Sequence, residues 1–192
     1  MHKDPIVQFK AWYEDAKAKE PSDPDAVALA SAGADGRPSV RMILMRGLDE
    51  RGFLFYTNLT SNKALAMRDN PYASMCFHWK SLARQVRIDG AVELLSDAEA
   101  DAYFASRPRE SQVGAWASKQ SQPLEGRFEL EARFAKYLAK FGIGKVPRPD
   151  FWSGYRLVAD EIEFWDKRPY RLHDRTLYRR TADGWEMSKL YP

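Results

Sequence analysis

The chain has 192 residues, 44% of them hydrophobic, which suits one globular domain with a substantial core and argues against two large domains. Lysine and arginine number 30 against 27 acidic residues, and the resulting net charge of +3 argues against a dedicated nucleic-acid or membrane-surface protein. The single cysteine, Cys76, permits no intrachain disulfide and predicts a reducing, cytoplasmic location.

The first third of the chain predicts one helix followed by strands. Asp4 is a suitable cap for a helix that opens with Pro5, and we assign residues 1–20 to this N-terminal helix. Strands are expected over residues 26–32, 38–46 and 53–56. Because Asp35-Gly36 is a hairpin signal between the first two strands, this order predicts an antiparallel meander rather than a βαβ unit.

The middle of the chain alternates helices with strands. Ser61 should cap a short helix, and Ser96 with Glu99 forms a capping box for a helix that stops before Pro108. Strands are expected over residues 72–79 and 85–95, and a longer helix over residues 124–141. This part of the sheet is therefore interrupted by helical insertions.

The C-terminal part returns to strands, which we expect over residues 155–165 and 177–187, with a hairpin signal at Asp183-Gly184. Six or more antiparallel strands favour a closed or partly closed barrel, since closure removes exposed strand edges. The predicted fold class is mainly antiparallel β with inserted helices, and residues 1–192 are interpreted as a single domain.

Several familiar kinds of site are disfavoured. The three histidines, His2, His78 and His173, do not have the spacing of metal ligands, so we expect no metal site. The glycines after residue 141 lack the spacing of a phosphate-binding loop and are interpreted as a helix stop. Cys76 lies in an apolar strand and is interpreted as a small core residue. No apolar run approaches the ~20 residues of a membrane-spanning helix, so we expect no membrane segment.

Cationic side chains stand where core patterning would not place them. Arg41, in the second predicted strand, and Lys63, near the start of the short helix, have the chemistry to bind phosphate. A second group of phosphate-type donors, in one helix and the turn after it, consists of Tyr103, Arg107 and Ser111. A third group, which would face one way in an extended strand, consists of Arg171, His173 and Arg175. Taken singly, each group is also explained by a solvent-exposed surface.

Taken together, these residues resemble the pyridoxamine 5'-phosphate oxidase family along nearly the whole chain. The matching segments are VRMILMRG, GFLFYTN followed by SNK, RQVRIDG, YFASRPRESQVGAWASKQS, FWSGYRL, IEFWDKRPYRLHDR and GWEMSKLYP. Two of them, SRPRESQVGAWASKQS and RLHDR, are long and unusual enough to make chance agreement negligible. The resemblance implies an FMN-binding split β-barrel that works as a homodimer with shared active sites, in which residues 170–192 form C-terminal strands that complete the site and the dimer.

The resemblance also implies roles for individual residues. The FMN site would contain Arg41, Met42, Ile43, Leu44, Tyr56, Thr57, Asn62, Lys63, Gln85, Gln120, Ser121, Trp165 and Arg175, some of them from the partner chain. The substrate phosphate would be bound by Arg46, Tyr103, Arg107 and Ser111, and the pyridine ring would lie against Arg171 and His173. Arg171 and His173 are also the candidate catalytic residues, since they would position and polarise the reacting centre.

The implied reaction is oxidation of pyridoxamine or pyridoxine 5'-phosphate to pyridoxal 5'-phosphate. A hydride would pass from substrate C4' to flavin N5, and dioxygen would reoxidise the flavin with release of hydrogen peroxide. Arg46 stands where the family usually carries lysine, and Asn62 where it often carries arginine. These departures leave open a related flavoenzyme with another substrate, such as a phenazine-pathway oxidase. A non-catalytic flavin- or B6-phosphate-binding protein is a further alternative, whereas the net charge of +3 gives little support to nucleic-acid binding.

Overall fold

The computed structural model describes residues 1–192 as five α-helices and a nine-stranded sheet. The helices are α1 (Pro5–Lys19), α2 (Asn62–Asp69), α3 (Asp97–Ser106), α4 (Arg109–Ala117) and α5 (Glu129–Phe141). The strands are β1 (Ala26–Ala32), β2 (Pro38–Leu44), β3 (Gly47–Leu48), β4 (Phe53–Asn58), β5 (Tyr72–Trp79), β6 (Arg84–Leu94), β7 (Trp152–Asp166), β8 (Asp174–Thr181) and β9 (Gly184–Leu190). Two short 3-10 turns cover Lys80–Leu82 and Pro169–Arg171. None of the helices has the length and apolar character to cross a membrane.

The sheet curls so that its two edge strands, β2 and β3, are joined by a two-residue connection. Its strand order is β2-β1-β5-β6-β7-β4-β3, with β8 paired to β7 and β9 paired to β8, and every pair is antiparallel. Only Met45 and Arg46 separate β2 from β3 in the sequence. The Met45 amide donates to the Asp25 carbonyl (2.9 Å) and the Arg46 amide donates to the Leu54 carbonyl (2.8 Å). The two edges therefore approach each other, and the sheet curls into a barrel that is split between β2 on one side and the paired strands β3 and β4 on the other.

The predicted antiparallel sheet with inserted helices is confirmed, but the predicted meander is wrong. The second and third predicted strands are not neighbours, since β2 and β4 lie on opposite sides of the split. β7 is long enough to pair with β4 through its first half and with β8 through its second half. A meander would have required each strand to pair with the next one along the chain.

The hydrophobic core consists of the side chains inside the barrel and of those on the face of α1 that packs against it. Phe9 of α1 is fully buried and meets Phe53 of β4 edge to face, with ring centroids 4.9 Å apart. Phe77 of β5 lies 5.2 Å from the same Phe9 ring, and Trp12 packs on Phe164 at 5.1 Å. Each such side chain contributes roughly 1.5–3 kcal/mol through the apolar surface that it removes from water. The N-terminal helix is therefore part of the core.

Several local predictions are confirmed by the hydrogen bonds and dihedral angles. The Ile6 amide donates to the Asp4 carboxylate (2.7 Å), so Asp4 caps α1 as expected. Both halves of the capping box between Ser96 and Glu99 are present at the start of α3. Gly36 has a φ of +72° in the turn between β1 and β2, a conformation that glycine adopts without a steric cost. These features depend on neighbouring residues alone.

Other local predictions are wrong. Ser61 stands at the N-cap of α2 as expected, but its side chain makes no cap hydrogen bond and instead accepts from the Lys63 ammonium (3.3 Å). The long helix α5 begins at Glu129, so residues 124–128 lie outside it. The hairpin expected at Asp183-Gly184 is present between β8 and β9, but residues 170–173, which were assigned to the C-terminal strands, precede β8 as a turn. Cys76 is half-buried and not a core residue, because alternate positions of β5 face opposite sides of the sheet and Met75 and Phe77 take the core side.

Candidate functional site

A cavity of about 1080 Å³ lies over the split in the barrel. Its walls come from β2 on one side of the split, from β4 on the other, and from α3 and α4 above them. The lining residues are Arg41, Met42, Ile43, Leu44, Arg46, Tyr56, Thr57, Asn58, Lys63, Tyr103, Ser106, Arg107, Pro108, Ser111, Gly114, Ala115, Ser118, Gln120 and Trp152. The crossing of the chain between β2 and β3 places Arg46 at this cavity. The curling of the sheet thus brings β2, β4 and Arg46 together around one cavity.

The lining of the cavity is strongly cationic. Four of its side chains carry positive charge, Arg41, Arg46, Lys63 and Arg107, and none of the lining residues is acidic. Only Arg46 has a carboxylate partner, Asp25, whose Oδ2 lies 3.0 Å from its Nη1. Cations that face a cavity without counter-charges form a site for anions, and the planar fork of arginine binds phosphate and carboxylate groups with two parallel hydrogen bonds.

One end of the cavity is built around Lys63. Its ammonium donates to Gln120 Oε1 (2.8 Å) and Thr57 Oγ1 (3.1 Å), and no carboxylate accepts from it. Burial lowers the pKa of Lys63 from its usual value, and the neighbouring charge of Arg41 adds to this effect. Arg41 donates to the Leu29 carbonyl (2.9 Å), and burial also lowers its pKa. Both shifts mean that an anion bound here would stabilise the charged forms.

The other end of the cavity is built around Arg107, which follows the last residue of α3. Its guanidinium lies 4.8 Å from the centre of the Trp152 ring, and its Nη1 is buried without a hydrogen-bond partner. Burial is the main cause that lowers the pKa of Arg107. A buried donor without a partner is costly, and a ligand oxygen would remove that cost.

Parallel aromatic rings form the wall between the two ends. Tyr56 and Tyr103 stack with ring centroids 3.7 Å apart and an angle of 9° between planes. Trp152 is also parallel to Tyr56, at 5.4 Å. The Tyr56 ring lies directly against β7, where its register partner is Gly154. Only glycine leaves room for the ring, because a Cβ at that position would lie 2.6 Å from it. Burial and the neighbouring Tyr103 raise the pKa of Tyr56 to about 12, so its hydroxyl stays protonated at neutral pH.

A second group of predicted site residues forms a row across three strands. Gln85 of β6 is the register partner of Trp165 of β7, which in turn is the register partner of Arg175 of β8. The His173 ring packs on Trp165 with centroids 4.5 Å apart. Arg175 donates to Glu163 Oε1 (2.7 Å), and this bond raises the pKa of Arg175. None of these residues lines the cavity of the same chain.

The structure thus divides the predicted site residues into two sets. The cavity brings together Arg41, Met42, Ile43, Leu44, Arg46, Tyr56, Thr57, Lys63, Tyr103, Arg107, Ser111 and Gln120. The residues that do not line it are Asn62, Gln85, Ser121, Trp165, Arg171, His173 and Arg175. Asn62 and Ser121 lie next to its Lys63 end, since the Asn62 amide donates to Ser121 Oγ (3.3 Å).

Two predictions about where these side chains lie in the fold are wrong in detail. Arg171, His173 and Arg175 do not share one strand, because Arg171 belongs to the 3-10 turn and β8 starts at Asp174. Ser111 lies within α4 and not in the turn after α3.

Sequence reasoning missed several lining residues, including Gly114 and Ala115 of α4 and its C-cap residue Ser118. They follow Ser111 at helical spacing, so recognising α4 would have found them. Trp152 was also missed, although it is the tryptophan of the FWSGYRL segment. The remaining residues that were missed are Asn58, Ser106 and Pro108.

The fold and the cavity define a split-barrel protein with a site for anionic ligands. Comparison with known proteins supports a narrower assignment. The family model described as pyridoxamine 5'-phosphate oxidase matches residues 13–141, and the model described as pyridoxine 5'-phosphate oxidase C-terminal dimerisation region matches residues 152–192. The chain therefore belongs to the pyridoxamine 5'-phosphate oxidase family, a family of oxidoreductases, and the resemblance and fold class expected from its sequence are confirmed.

Individual relatives agree with this assignment. The pyridoxine/pyridoxamine 5'-phosphate oxidase of Rhodospirillum rubrum is 56% identical, over 99% of this chain and 97% of the relative. That of Brucella anthropi is 57% identical, over 98% of this chain and 94% of the relative. Among solved structures, PhzG from Burkholderia lata in complex with tetrahydrophenazine-1-carboxylic acid has a TM-score of 0.94 at 35% identity, covering 100% of this chain and 94% of that one. A pyridoxamine 5'-phosphate oxidase-related, FMN binding protein from Nostoc punctiforme shares the fold, with a TM-score of 0.76 at 18% identity and coverage of 97% and 96%.

Proposed function

We propose that this protein binds FMN and oxidises pyridoxamine 5'-phosphate and pyridoxine 5'-phosphate to pyridoxal 5'-phosphate, with dioxygen as the electron acceptor. The observation that carries the proposal is the cavity with four cations and no acid, in a chain of this family. Such a cavity has two cationic ends, and the reaction requires two phosphorylated molecules side by side. Each end would bind one phosphate.

The Lys63 end fits the phosphate of FMN. Lys63 and Arg41 are partly desolvated and have no acidic partner, so a phosphate would supply the missing counter-charge. Gln120 and Thr57 already contact the Lys63 ammonium and would orient it. The neighbouring Asn62 and Ser121 would contribute uncharged donors. With Asn62 in place of the arginine common in the family, the phosphate would rest on fewer charges, and Lys63 would carry more of the binding.

The Arg107 end fits the phosphate of the substrate. The buried Nη1 of Arg107 has no partner within the protein and would donate to a phosphate oxygen. Arg46 has one nitrogen on Asp25 (3.0 Å) and would use its remaining donors on the same phosphate. Tyr103 and Ser111, which also line this end, would add hydroxyl donors. These residues would bind and orient the substrate so that its reacting carbon is held at a fixed place.

When bound, FMN would supply the redox chemistry: its N5 accepts a hydride from substrate C4', and the two electrons then reduce dioxygen to hydrogen peroxide. The protein contributes binding, orientation and exclusion of water. The parallel rings of Tyr56, Tyr103 and Trp152 make one wall of the cavity apolar and flat. Arg171 and His173 would hold the pyridine ring from its other side and polarise the reacting centre.

We also propose a homodimer in which the row of Gln85, Trp165 and Arg175, together with Arg171 and His173, completes the cavity of the other subunit. The match to a dimerisation region over residues 152–192 supports it, because four of these five residues lie within that region. Arg171 is exposed and none of the five lines its own cavity. Tyr170 and Arg171 both have positive φ angles, 58° and 62°. Two consecutive residues in this costly conformation are expected where a functional contact maintains them.

A second candidate function is oxidation of a phenazine-type carboxylic acid, which the structural similarity to PhzG favours. The charge of the cavity argues for the phosphate substrate, since a phosphate dianion matches Arg46 and Arg107 better than one carboxylate does. The deciding experiment supplies FMN-loaded protein with pyridoxamine 5'-phosphate, pyridoxine 5'-phosphate or tetrahydrophenazine-1-carboxylic acid in turn. We expect hydrogen peroxide and pyridoxal 5'-phosphate from the first two. Peroxide from the phenazine alone would assign the second function, and binding without peroxide would indicate a storage or carrier protein.

A further inference from the structure

A buried arginine outside the cavity ties α3 to the sheet. Arg156, in β7, is 2% exposed, and its Nη2 donates to Asp49 Oδ2 (2.7 Å) and to Glu99 Oε1 (2.8 Å). Its Nε also contacts the Asp49 carboxylate, at 3.2 Å and 3.3 Å. Asp49 follows β3 and Glu99 lies in the first turn of α3, so this one guanidinium joins three separate parts of the chain.

Glu99 uses its two carboxylate oxygens for different tasks. Oε2 accepts from the Ser96 amide (3.0 Å) and the Ser96 hydroxyl (2.7 Å), which closes the capping box of α3. Oε1 accepts from Arg156 and, at 3.0 Å, from the exposed Arg51. Glu99 therefore both completes the capping box of α3 and links this helix to β7. A buried charge whose partner is removed destabilises its surroundings, so Arg156 and Glu99 depend on each other.

The same helix carries the substrate half of the cavity. Tyr103 lies one turn after Glu99 on α3, and Arg107 follows at the C-cap one turn later. Arg156 and Gly154 lie on one face of β7, as side chains two apart in a strand do. Gly154 lies against the ring of Tyr56, on which Tyr103 stacks. A shift of α3 along or away from β7 would displace both Tyr103 and Arg107. The Lys63 end is built from α2, β2 and β4, with Gln120 following α4, so we expect it to move less than the Arg107 end.

We propose that Arg156 is a positioning residue for the substrate-phosphate half of the cavity, acting through Glu99 and α3. The inference rests on the proposed function, because it assumes that the Arg107 end binds the substrate. Arg156 does not line the cavity. Its role is to set where Tyr103 and Arg107 stand relative to the bound flavin.

The test compares Arg156→Met with Arg51→Gln, which removes the exposed partner of the same Glu99 oxygen. In FMN-loaded protein, two quantities are measured: the KM and kcat for pyridoxamine 5'-phosphate, and the Kd of 4-deoxypyridoxine 5'-phosphate, an analogue with a methyl group at the reacting position. We expect Arg156→Met to raise both KM and Kd roughly tenfold, since small misplacements of binding groups are costly. The Kd of FMN should change less than twofold, and Arg51→Gln should resemble the wild type. Arg156→Lys should recover part of the loss, because a single ammonium reaches only one of the two carboxylates.

A double-mutant cycle with Glu99→Gln separates positioning from general destabilisation. If Arg156 acts through Glu99, Arg156→Met should cost much less analogue affinity in the Glu99→Gln background than in the wild type. Hydrogen exchange should show lost protection in residues 97–106 and unchanged protection in α2. Should Arg156→Met fail to fold, the same measurements on Arg156→Lys and Glu99→Gln decide. If Arg156→Met, or Arg156→Lys and Glu99→Gln in its place, bind the analogue as tightly as the wild type does, the inference about Arg156 is wrong and the proposed function stands. If the wild-type protein itself binds neither FMN nor the analogue, the proposed function is wrong as well.

Discussion

The ammonium of Lys63 lies 2.8 Å from Oε1 of Gln120, a residue 57 positions away in the chain, and no acidic side chain neutralises it. If FMN phosphate is the missing partner, Lys63→Met should weaken FMN binding by roughly ten- to a hundredfold, the equivalent of one charged hydrogen bond. Lys136→Met, at an exposed position of α5, removes the same charge elsewhere and should leave FMN affinity unchanged. Fluorescence titration of the apoprotein with FMN measures both. Equal FMN affinity in the two variants would place the flavin phosphate elsewhere.

If the two cationic ends of the cavity bind different ligands, substitutions should weaken substrate binding and FMN binding separately. Arg107→Ala removes the buried donor next to Trp152 and should weaken substrate binding by roughly ten- to a hundredfold, while FMN occupancy stays nearly unchanged. Arg175→Ala, in the row across β6 to β8, should do the reverse. The checks are KM for pyridoxamine 5'-phosphate and the FMN content of the purified variants. Loss of FMN from Arg107→Ala with unchanged substrate affinity would mean that the two phosphate ends have been exchanged.

The sequence predicted those parts of the molecule that depend on neighbouring residues. The Asp4 cap, the box between Ser96 and Glu99 and the turn at Gly36 each require only a few adjacent groups, and all three are present. α4 was missed because Pro108 was interpreted only as the end of α3. A proline also suits the start of a helix, and Pro108 stands at the N-cap of α4.

Features that depend on distant residues could not be predicted from patterns. The side on which Cys76 lies is set by the pairing of β5 with β1 and β6, and shifting a strand by one residue exchanges its faces. The short connection at Met45 and Arg46 brings β2 close to β4, but no residue pattern in either strand indicates that the two strands lie near each other. For the same reason, the family resemblance named the site residues without showing that one chain divides them between a cavity and a separate row.

The contact between Gly154 and Tyr56 predicts a steric effect on stability. A Cβ at position 154 would lie 2.6 Å and 2.7 Å from two ring carbons of Tyr56 and 2.6 Å from Leu95 Cδ1, so both neighbours must move. We expect Gly154→Ala to lower the free energy of unfolding by about 1–3 kcal/mol, as overpacking usually does. Gly126→Ala is the matched control, because a Cβ there meets nothing within 4 Å. Urea unfolding of both variants provides the measurement, and equal midpoints would show that the ring moves aside at little cost.

The pKa of Glu99 gives a prediction about pH. Its hydrogen bonds to Arg156 and Ser96 lower the pKa of this carboxyl to about 2, below its value in the unfolded chain. A lowered folded-state pKa stabilises the fold above the unfolded-state pKa, and this contribution is lost as the pH falls toward about 2. The Glu99 side chain is 37% exposed, so the contribution at neutral pH should be about 1 kcal/mol or less. Glu99→Gln should be less stable than the wild type at pH 7, and the difference should shrink on acidification. A difference that stays constant from pH 7 to pH 3 would contradict this account.

The separation of the cavity from the row of Gln85, Trp165 and Arg175 yields the sharpest test of the shared site. Lys63→Met damages the cavity and Arg175→Ala damages the row, so each homodimer should bind FMN poorly at both of its sites. In a mixed dimer, one site receives both substitutions, and the other receives the intact cavity of one chain and the intact row of its partner. After unfolding and refolding the two variants together, about a quarter of all sites should therefore regain FMN binding if subunits pair at random. Titration is done at an FMN concentration between the Kd of the wild type and those of the variants. If each site instead belonged to one chain, every site in the mixture would carry one substitution and no binding would return. Recovery of sites thus distinguishes a cavity completed by a second copy from one that is complete within a single chain.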